Sequence, residues 1–366
     1  MWRQKTLFPM NLQARQQALL AAVIERYVAT AEPVGSAALA ADANFVARVG
    51  SVSSATVRNE LAELEAAGLL AHPHTSAGRV PTDAGYRVYV NELLRPRPIR
   101  ANERAHIKSH IATPASSVED SLRDACAALA RLTGYPAVAT LPSAGRDLVR
   151  HVQINSLPPR RLILALVTSA GRIEHRVFEI SDDVSSERLA QAVNFLNQQL
   201  SGRTLAALRA LSFEDISEGL HGAEALSLAR RAFEFTKQSA QELGDERVVV
   251  QGMITLLDEP EFSDIDQARA AMRLFEDDAA MSDILRAPLQ LDAAGAASYA
   301  VVIGGEHHAV ENVAARRFSL VGIAYGVGGE VLGTVGVMGP TRMKYADAVS
   351  LVPALAARLQ ASLESL

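Results

Sequence analysis

The sequence has a single cysteine, few aromatic residues and no long hydrophobic run. Cys126 is the only cysteine among 366 residues, which excludes an internal disulfide and the paired cysteines of a zinc ribbon. Because it lies in the alanine-rich helical pattern DACAALARL, we interpret it as inert packing rather than as a nucleophile. Aromatic residues make up 5% of the chain, so its cores must consist mainly of alanine, leucine and valine.

The apolar segments are too short to cross a membrane or to direct export. The run from Leu162 to Val167 has the length of a strand, whereas a spanning helix needs about 20 apolar residues. The N-terminal segment MWRQKTLFPMN has two early basic residues but no apolar run of signal-peptide length. We therefore expect a soluble, cytoplasmic protein without a membrane partner.

Length and charge indicate more than one domain and a basic N-terminal end. At about 150 residues per domain, the chain has room for two or three domains. The first hundred residues carry a net charge of +3 and the remainder −8, which together give the overall −5. A basic segment on an acidic body favours a polyanionic partner for that segment.

Helical patterns fill the first seventy residues. Apolar residues recur at i, i+3, i+4, i+7 and i+8 in a helix predicted from Asn11 to about Thr30. Proline at position 33 ends it, and Ser36 is placed to cap a short helix to about Ala43. We expect the segment from Asn44 to Val52 to be a turn or loop.

The next helix carries the strongest functional signal. Ser53 or Ser54 can cap it, and apolar side chains spaced at i, i+4 and i+7 form its core face. The opposite face combines small residues with hydrogen-bonding groups: Ala55, Thr56, Arg58, Asn59 and Ala62. Asparagine can pair with adenine and arginine with guanine or phosphate, and a helix N-terminus suits a phosphate.

A polar loop follows this helix. Gly68 ends the helix, Leu69 and Leu70 return to the core, and the loop precedes a further helix capped by Thr82. The order helix, turn, helix and loop between two short strands predicts a winged helix-turn-helix that contacts double-stranded DNA. The predicted DNA-binding residues are Ser53, Ser54, Ala55, Thr56, Arg58, Asn59, His74, Thr75, Ser76 and Arg79.

Four segments resemble the family of heat-inducible transcription repressors HrcA: EPVGSAALA, SSATVRNELAELEAAGLL, HTSAGRVPTDAGYRVYV and GTVGVMGPTRM. The family resemblance implies a GAF-like domain interrupted by an inserted dimerisation segment. It also implies a homodimer on an inverted-repeat operator called CIRCE, upstream of chaperone operons, with activity modulated by the chaperonin GroEL. The segment NFVARVGSV is longer than the turn usual in the family.

The predicted fold class is therefore α+β multidomain. Its parts are a winged-helix DNA-binding domain (1–94), a Pro/Arg-rich linker (95–104), a GAF-like α/β domain (105–203 and 264–366) and an inserted dimerisation domain (204–263). The linker arginines either contact phosphates or only solvate the hinge.

No catalytic, cofactor or metal site can be assembled from the spacing. The glycines from Gly326 to Gly336 lack the Lys-Ser/Thr of a phosphate loop, and a tight turn at Gly328-Gly329 explains them better. His307 and His308 beside Glu306 would point to opposite faces of a strand, so we place them at a loop tip. We expect neither an enzyme nor a cofactor.

Two alternatives to a chaperonin-controlled repressor remain open. In the first, the GAF-like domain binds a small metabolite and alters DNA affinity. In the second, the chain is a protein-interaction scaffold without a role on DNA, in which case Arg58 and Asn59 could be replaced without loss of function.

Overall fold

The computed structural model describes residues 12–73, 78–111, 117–142, 147–157, 159–169, 171–180, 184–218, 222–244, 247–286, 299–307 and 313–365. The chain divides into two compact units. The main unit comprises Met1–Leu141 and Arg247–Leu366, and the inserted unit comprises Pro142–Glu246. Helices and strands occur in both units, which confirms the predicted α+β class.

The helices and strands follow one another in this order: α1 Ala14–Thr30, α2 Ser36–Ala40, α3 Ala43–Val49, α4 Ser54–Ala66, β1 Leu70–Ala71, β2 Val80–Pro81, α5 Asp83–Val88, α6 Ala101–His110, α7 Val118–Thr133, β3 Ala137–Thr140, β4 Val149–Leu157, β5 Arg161–Thr168, β6 Ile173–Glu179, α8 Ser186–Leu200, α9 Leu205–Ala210, α10 Ala223–Gly244, β7 Val248–Gln251, α11 Ile265–Glu276, α12 Asp278–Leu285, β8 Ala300–Ile303, β9 Phe318–Val327, β10 Glu330–Pro340 and α13 Tyr345–Leu363. A π-helical turn, Tyr89–Leu93, continues α5.

The first part of the main unit, residues 12–94, is called the head below. The predicted apolar stripe of α1 is buried, with Leu20, Val23 and Ile24 fully inaccessible. Strands β1 and β2 pair antiparallel, with Leu70 opposite Pro81. Position 85 requires glycine because the backbone at Leu69 approaches it closely. A Cβ on Gly85 would lie 2.2 Å from the Leu69 carbonyl oxygen.

The expectation of a turn or loop over Asn44–Val52 is wrong. Helix α3 fills most of this segment, and its N-cap Asp42 accepts a hydrogen bond from the Phe45 amide at 2.9 Å. Phe45 is buried in the head core, and Gly50 ends the helix with φ +81°. The extra length before α4 therefore forms an additional helical turn that packs inward, because Asp42 caps it and Phe45 anchors it.

The linker is shorter and more firmly held than predicted. Helix α6 begins at Ala101, so only residues 95–100 are without regular structure. Arg97 does not merely solvate a hinge, because its guanidinium donates to Glu103 at 2.7 Å and also pairs with Asp347 of α13. The hydrogen bond from Arg97 lowers the pKa of the buried Glu103 carboxyl to about 2.

A five-stranded antiparallel sheet, in the order β7-β3-β10-β9-β8, forms the centre of the main unit. Side chains on one face pack with α7 and α13, and those on the other pack with α11 and α12. Strand β9 is consequently buried at nine consecutive positions. Gly328 and Gly329 both have positive φ and turn the chain from β9 into β10, as predicted.

The inserted unit has its own sheet and core. Strands β4, β5 and β6 pair antiparallel in that order, and their inner face packs against α8 and α10. Asn197 of α8 fastens the sheet edge, since its amide group accepts from the Val152 amide at 2.8 Å and donates to the Val152 carbonyl at 2.7 Å. This core is separate from the cores of the main unit.

These units differ from the predicted limits of the insertion, 204–263. The sequence interpretation did not include the short strand β3, which pairs with both β10 and β7. The main sheet therefore already contains a strand that precedes residue 142. Strands β4 to β6 then belong to the insertion, and β7 belongs to the main sheet. Within the described residues, no helix is both long and apolar enough to cross a membrane.

Candidate nucleic-acid interface

Serine side chains fix the start of α4. Ser53 is the N-cap, with extended backbone (φ −68°, ψ 148°), and its Oγ accepts from the Thr56 amide at 3.1 Å. The same Oγ lies 2.9 Å from the Thr56 hydroxyl. Ser54 is half-buried, and its Oγ lies 3.2 Å from the Ser36 Oγ of α2. Ser53 and Thr56 thus shape the exposed helix end, whereas Ser54 joins α4 to α2.

The two faces of α4 differ as the helical wheel predicts. Val57, Leu61 and Leu64 are buried in the head core. The outward-facing residues are exposed, and they are Ala55, Arg58, Asn59 and Ala62. Among the described residues, Arg58 has no ion pair and Asn59 no side-chain hydrogen bond. This face therefore offers an uncompensated cation and a free amide beside two methyl groups.

Two acidic residues of α4 contact α1. Glu60 is 6% exposed and forms an ion pair with Arg15 of α1. Glu63 accepts a hydrogen bond of 2.8 Å from the side-chain amide of Gln16, also on α1. The Glu60 carboxylate is thus paired with Arg15, and the exposed Glu63 keeps its charge, since its partner Gln16 is neutral.

Arg79 holds the loop rather than standing free in solvent. Its Nε lies 2.8 Å from Glu65 Oε2, and its side chain is only 19% exposed. Its backbone bonds to Val34 in both directions, at 2.9 and 3.0 Å. Arg79 thereby fastens strand β2 to α4 and to the segment before α2. The other predicted loop residues, His74, Thr75 and Ser76, lie outside the described residues.

Sequence reasoning missed Arg15, which pairs with Glu60 and so orients α4 against α1. The available signal was the position of Glu60 on the helical wheel, at the edge of the core face beside Leu64 and Val57. A carboxylate at such a position requires a partner, because burying an unpaired charge is costly.

The serine cap of α4 should contribute measurably to stability. We expect Ser53→Ala to lower the free energy of unfolding of the head by about 1 kcal/mol, because an N-cap hydroxyl satisfies an otherwise unpaired amide. Thermal unfolding followed by circular dichroism measures this. Ser51→Ala is the matched control, since Ser51 is exposed and precedes the cap. Equal melting temperatures for both variants would show that the cap contributes nothing.

The described residues hold no metal cluster and no reactive thiol, and the histidine and glutamate singled out in the sequence are already engaged. His307 does not stand at a loop tip as expected; it is buried, and its Nε2 lies 3.1 Å from the Phe318 carbonyl. Glu306 is paired with Arg87, and no group of three or more potential metal ligands occurs among the described residues. Burial raises the pKa of the Cys126 thiol to about 12, as inert packing requires.

Comparison with known proteins covers nearly the whole chain. The family model "HrcA protein C terminal domain" matches residues 119–349. The heat-inducible transcription repressor HrcA of Moorella thermoacetica is 35% identical over 358 residues, which are 98% of this chain and 99% of that protein. The protein of the same name from Synechococcus elongatus is 35% identical over 366 residues, with 97% and 99% coverage.

One solved structure supports the fold. A crystal structure described as that of a hypothetical protein has a TM-score of 0.60 with this chain at 21% identity, covering 97% of this chain and 99% of that one. The curated relatives are named as transcription repressors and not as enzymes, which confirms the interpretation of the sequence on this point. The chain belongs to the family of heat-inducible transcription repressors HrcA.

Proposed function

We propose that this chain represses heat-shock genes by binding, as a dimer, an inverted-repeat operator of the CIRCE type through the exposed face of α4. The observation that carries the proposal is the composition of that face. Arg58 and Asn59 project beside Ala55 and Ala62, whose small side chains allow close approach to a base pair. The head is then a winged helix-turn-helix, with α4 in the major groove.

The residues around this face have supporting roles in the proposal. Ser53 and Thr56 lie at the N-terminus of α4, where backbone amides and the helix dipole favour a phosphate. Ser54 holds α4 on α2, and Arg79 positions the loop whose residues His74, Thr75 and Ser76 contact the DNA backbone. Phosphate contacts fix orientation, whereas Arg58 and Asn59 supply the sequence discrimination.

Binding of labelled DNA to the full chain tests this function. Fluorescence anisotropy compares an inverted-repeat duplex, a duplex with one half-site and a scrambled duplex of equal length, all at one salt concentration. We expect the inverted repeat to bind at least about a thousandfold more tightly than the scrambled duplex. Equal affinity for the three duplexes would overturn the proposed function.

We place the dimer contact on the outer face of the sheet in the inserted unit. Here Ile173 and Val177 of β6 are 63% and 50% exposed. They stand opposite Val167 and Ile163 of β5 on the same face. A second copy is the partner that fits the proposed function, because an inverted repeat requires two heads related by a twofold axis.

Val177→Asp is therefore expected to convert the dimer to a monomer, because a charge at the centre of an apolar contact cannot be desolvated without a partner. Sedimentation equilibrium measures the mass, and affinity for the full inverted repeat should fall towards that for one half-site. Ile254→Asp is the matched control, since Ile254 is a 71% exposed apolar residue of the main unit. Should Val177→Asp remain dimeric, the contact lies elsewhere.

GroEL is proposed to raise the fraction of repressor competent for DNA. Exposed apolar side chains near one another in sequence support this, because chaperonins bind apolar surface: Ile254, Leu257, Ile265 and Met272. Titration with operator DNA, with and without purified chaperonin, measures the active fraction. If that fraction stays constant while a small molecule shifts the dissociation constant, a ligand-sensing regulator explains the chain better.

A further inference from the structure

A pocket of about 420 Å³ opens between α6 and α13 in the main unit. Apolar and cationic side chains share its wall, and they are Ile99, Ile107 and Ala354 together with Arg104, Lys108 and Arg358. Its volume lies within the range of pockets that hold small organic ligands, about 300–1,000 Å³. Nothing in the proposed DNA contact uses these residues.

The three cations of this pocket are uncompensated. Arg104 and Lys108 are four residues apart on α6, so they share one helix face, where like charges repel. Neither of them, nor Arg358, has a carboxylate partner among the described residues. Arg358 also has a buried Nε without a hydrogen-bond partner. A buried, unsatisfied guanidinium nitrogen is costly and points to a missing acceptor.

Two other inward-facing arginines of this unit are paired, in contrast to Arg358. Arg97 donates to Glu103 and Asp347, and Arg342 to Glu259 and Glu261. Carboxylates thus satisfy both of these guanidinium groups. No carboxylate of the described residues does the same for the half-buried Arg358.

We infer that this pocket binds a small amphipathic organic anion, with its acid group at Arg358 and Lys108 and its apolar body against Ile99 and Ile107. The cations select a carboxylate or a similar acid. The apolar walls select against inorganic phosphate, which has no apolar surface to bury.

The pocket adjoins the segment that connects the head with the rest of the main unit. Ile99 belongs to the segment 95–100 that connects the head with α6, and Arg97 in the same segment is bonded to both α6 and α13. A ligand held between α6 and α13 would bind next to this connection. A ligand that binds the folded chain and not the unfolded chain would stabilise the folded state by mass action.

Isothermal titration calorimetry of the full chain tests the site with octanoate and 4-phenylbutyrate. Each acid is compared with its neutral primary amide, and inorganic phosphate is titrated separately. We expect one molecule of carboxylate to bind per chain. The melting temperature of the chain should rise as the ligand concentration increases. The amides and phosphate should bind at least about tenfold more weakly, as loss of a charge-assisted hydrogen bond predicts.

Two variants locate the binding. Arg358→Met and Lys108→Met retain the apolar stem and remove the charge, so each should weaken carboxylate binding about tenfold or more while leaving amide binding unchanged or stronger. Arg358→Met should not destabilise the unliganded chain, because the charge it removes has no partner among the described residues. Arg269→Met, at a 63% exposed arginine of α11, is the control with no expected effect.

Several results would overturn the assignment. The assignment fails if neither acid binds the wild-type chain. It also fails if both acids bind Arg358→Met and Lys108→Met as tightly as they bind the wild type. Amides binding as tightly as acids would make the pocket a plain apolar cleft. A change of oligomeric state in Arg358→Met without any acid binding would make it a contact between copies. None of these results bears on operator affinity, so the DNA proposal stands or falls separately.

Discussion

Arg342→Met is expected to lower the free energy of unfolding of the main unit by about 3–5 kcal/mol, the cost of removing one partner from a buried ion pair. The Arg342 side chain is only 9% exposed and pairs with Glu259 and Glu261. Burial acts to lower its pKa, but hydrogen bonding and attraction from Glu261, followed by Glu259, outweigh burial and raise it. Without the guanidinium, two neighbouring carboxylates repel one another in a poorly hydrated site.

The same side chain joins the head to the rest of the main unit. Arg342 Nη1 donates to the Val28 carbonyl, near the end of α1, at 3.2 Å. Arg87 of α5 makes a parallel link, since it donates to Glu306 and to the Val301 carbonyl at 2.7 Å. Loss of Arg342 should therefore loosen the head and destabilise the body together.

Urea unfolding followed by far-ultraviolet circular dichroism measures this effect, with Arg269→Met as the exposed control. The control should change stability by less than about 0.5 kcal/mol. The triple variant Arg342→Met, Glu259→Gln, Glu261→Gln should recover most of the loss, because it leaves no unpaired charge. A triple variant as unstable as Arg342→Met alone would refute the electrostatic explanation and indicate lost packing instead.

Asn59→Ala and Arg58→Ala should each weaken operator binding by about 1–3 kcal/mol, or about 5- to 150-fold, if α4 reads bases. An asparagine amide can bond an adenine edge in two places, and an arginine can do the same for guanine. Because both side chains are exposed and unpaired among the described residues, their removal should leave the melting temperature within about 1 °C. The effect is then on recognition and not on folding.

Comparing the affinities of each variant for operator and scrambled duplexes distinguishes base recognition from general electrostatic attraction to DNA. Fluorescence anisotropy with operator and scrambled duplexes should show that Asn59→Ala loses affinity only for the operator. Arg123→Ala removes an equal charge from an exposed position on α7 and should change neither affinity appreciably. If both α4 variants retain wild-type operator affinity, the recognition helix has been assigned wrongly and a role in protein contacts gains support.

How much the sequence could predict differs between the site and the fold. The cap at Ser53 and the inward face of α4 follow from local rules, because a helix 13 residues long repeats one pattern several times. The helical spacing alone therefore sufficed to place Arg58 and Asn59 on the outer face. The role of Arg79 could not be predicted in this way, because its partner Glu65 approaches only when β2 folds back onto α4.

Short elements account for most of the errors in the fold. Helix α3 spans seven residues, and its only strong signals were the cap Asp42 and the anchor Phe45. Strand β3 spans four residues in an alanine-rich segment without alternation, because both of its faces are buried. Missing it displaced the limits of the insertion. Strand β10 continues through Pro340, and Lys344 stands at the start of α13 without a side-chain cap.

Long-range charge pairs were equally inaccessible to sequence reasoning. The GPTRM segment was singled out by resemblance, but periodicity gave no role to Arg342. Its partners Glu259 and Glu261 lie more than eighty positions earlier, in a segment expected to belong to the insertion. The contribution of Arg342 to stability depends on its contacts with residues distant in sequence, which only the folded structure brings together.

A hydroxyl-radical footprint of the full chain on the DNA upstream of its own chaperone operon tests the central claim most directly. We predict two protected patches related by a twofold axis and separated by about one helical turn or a multiple of it. Asn59→Ala should abolish both patches at a concentration where the wild-type protein protects them. A single patch, or two patches that persist undiminished in Asn59→Ala, would contradict a dimeric repressor that reads its operator through α4.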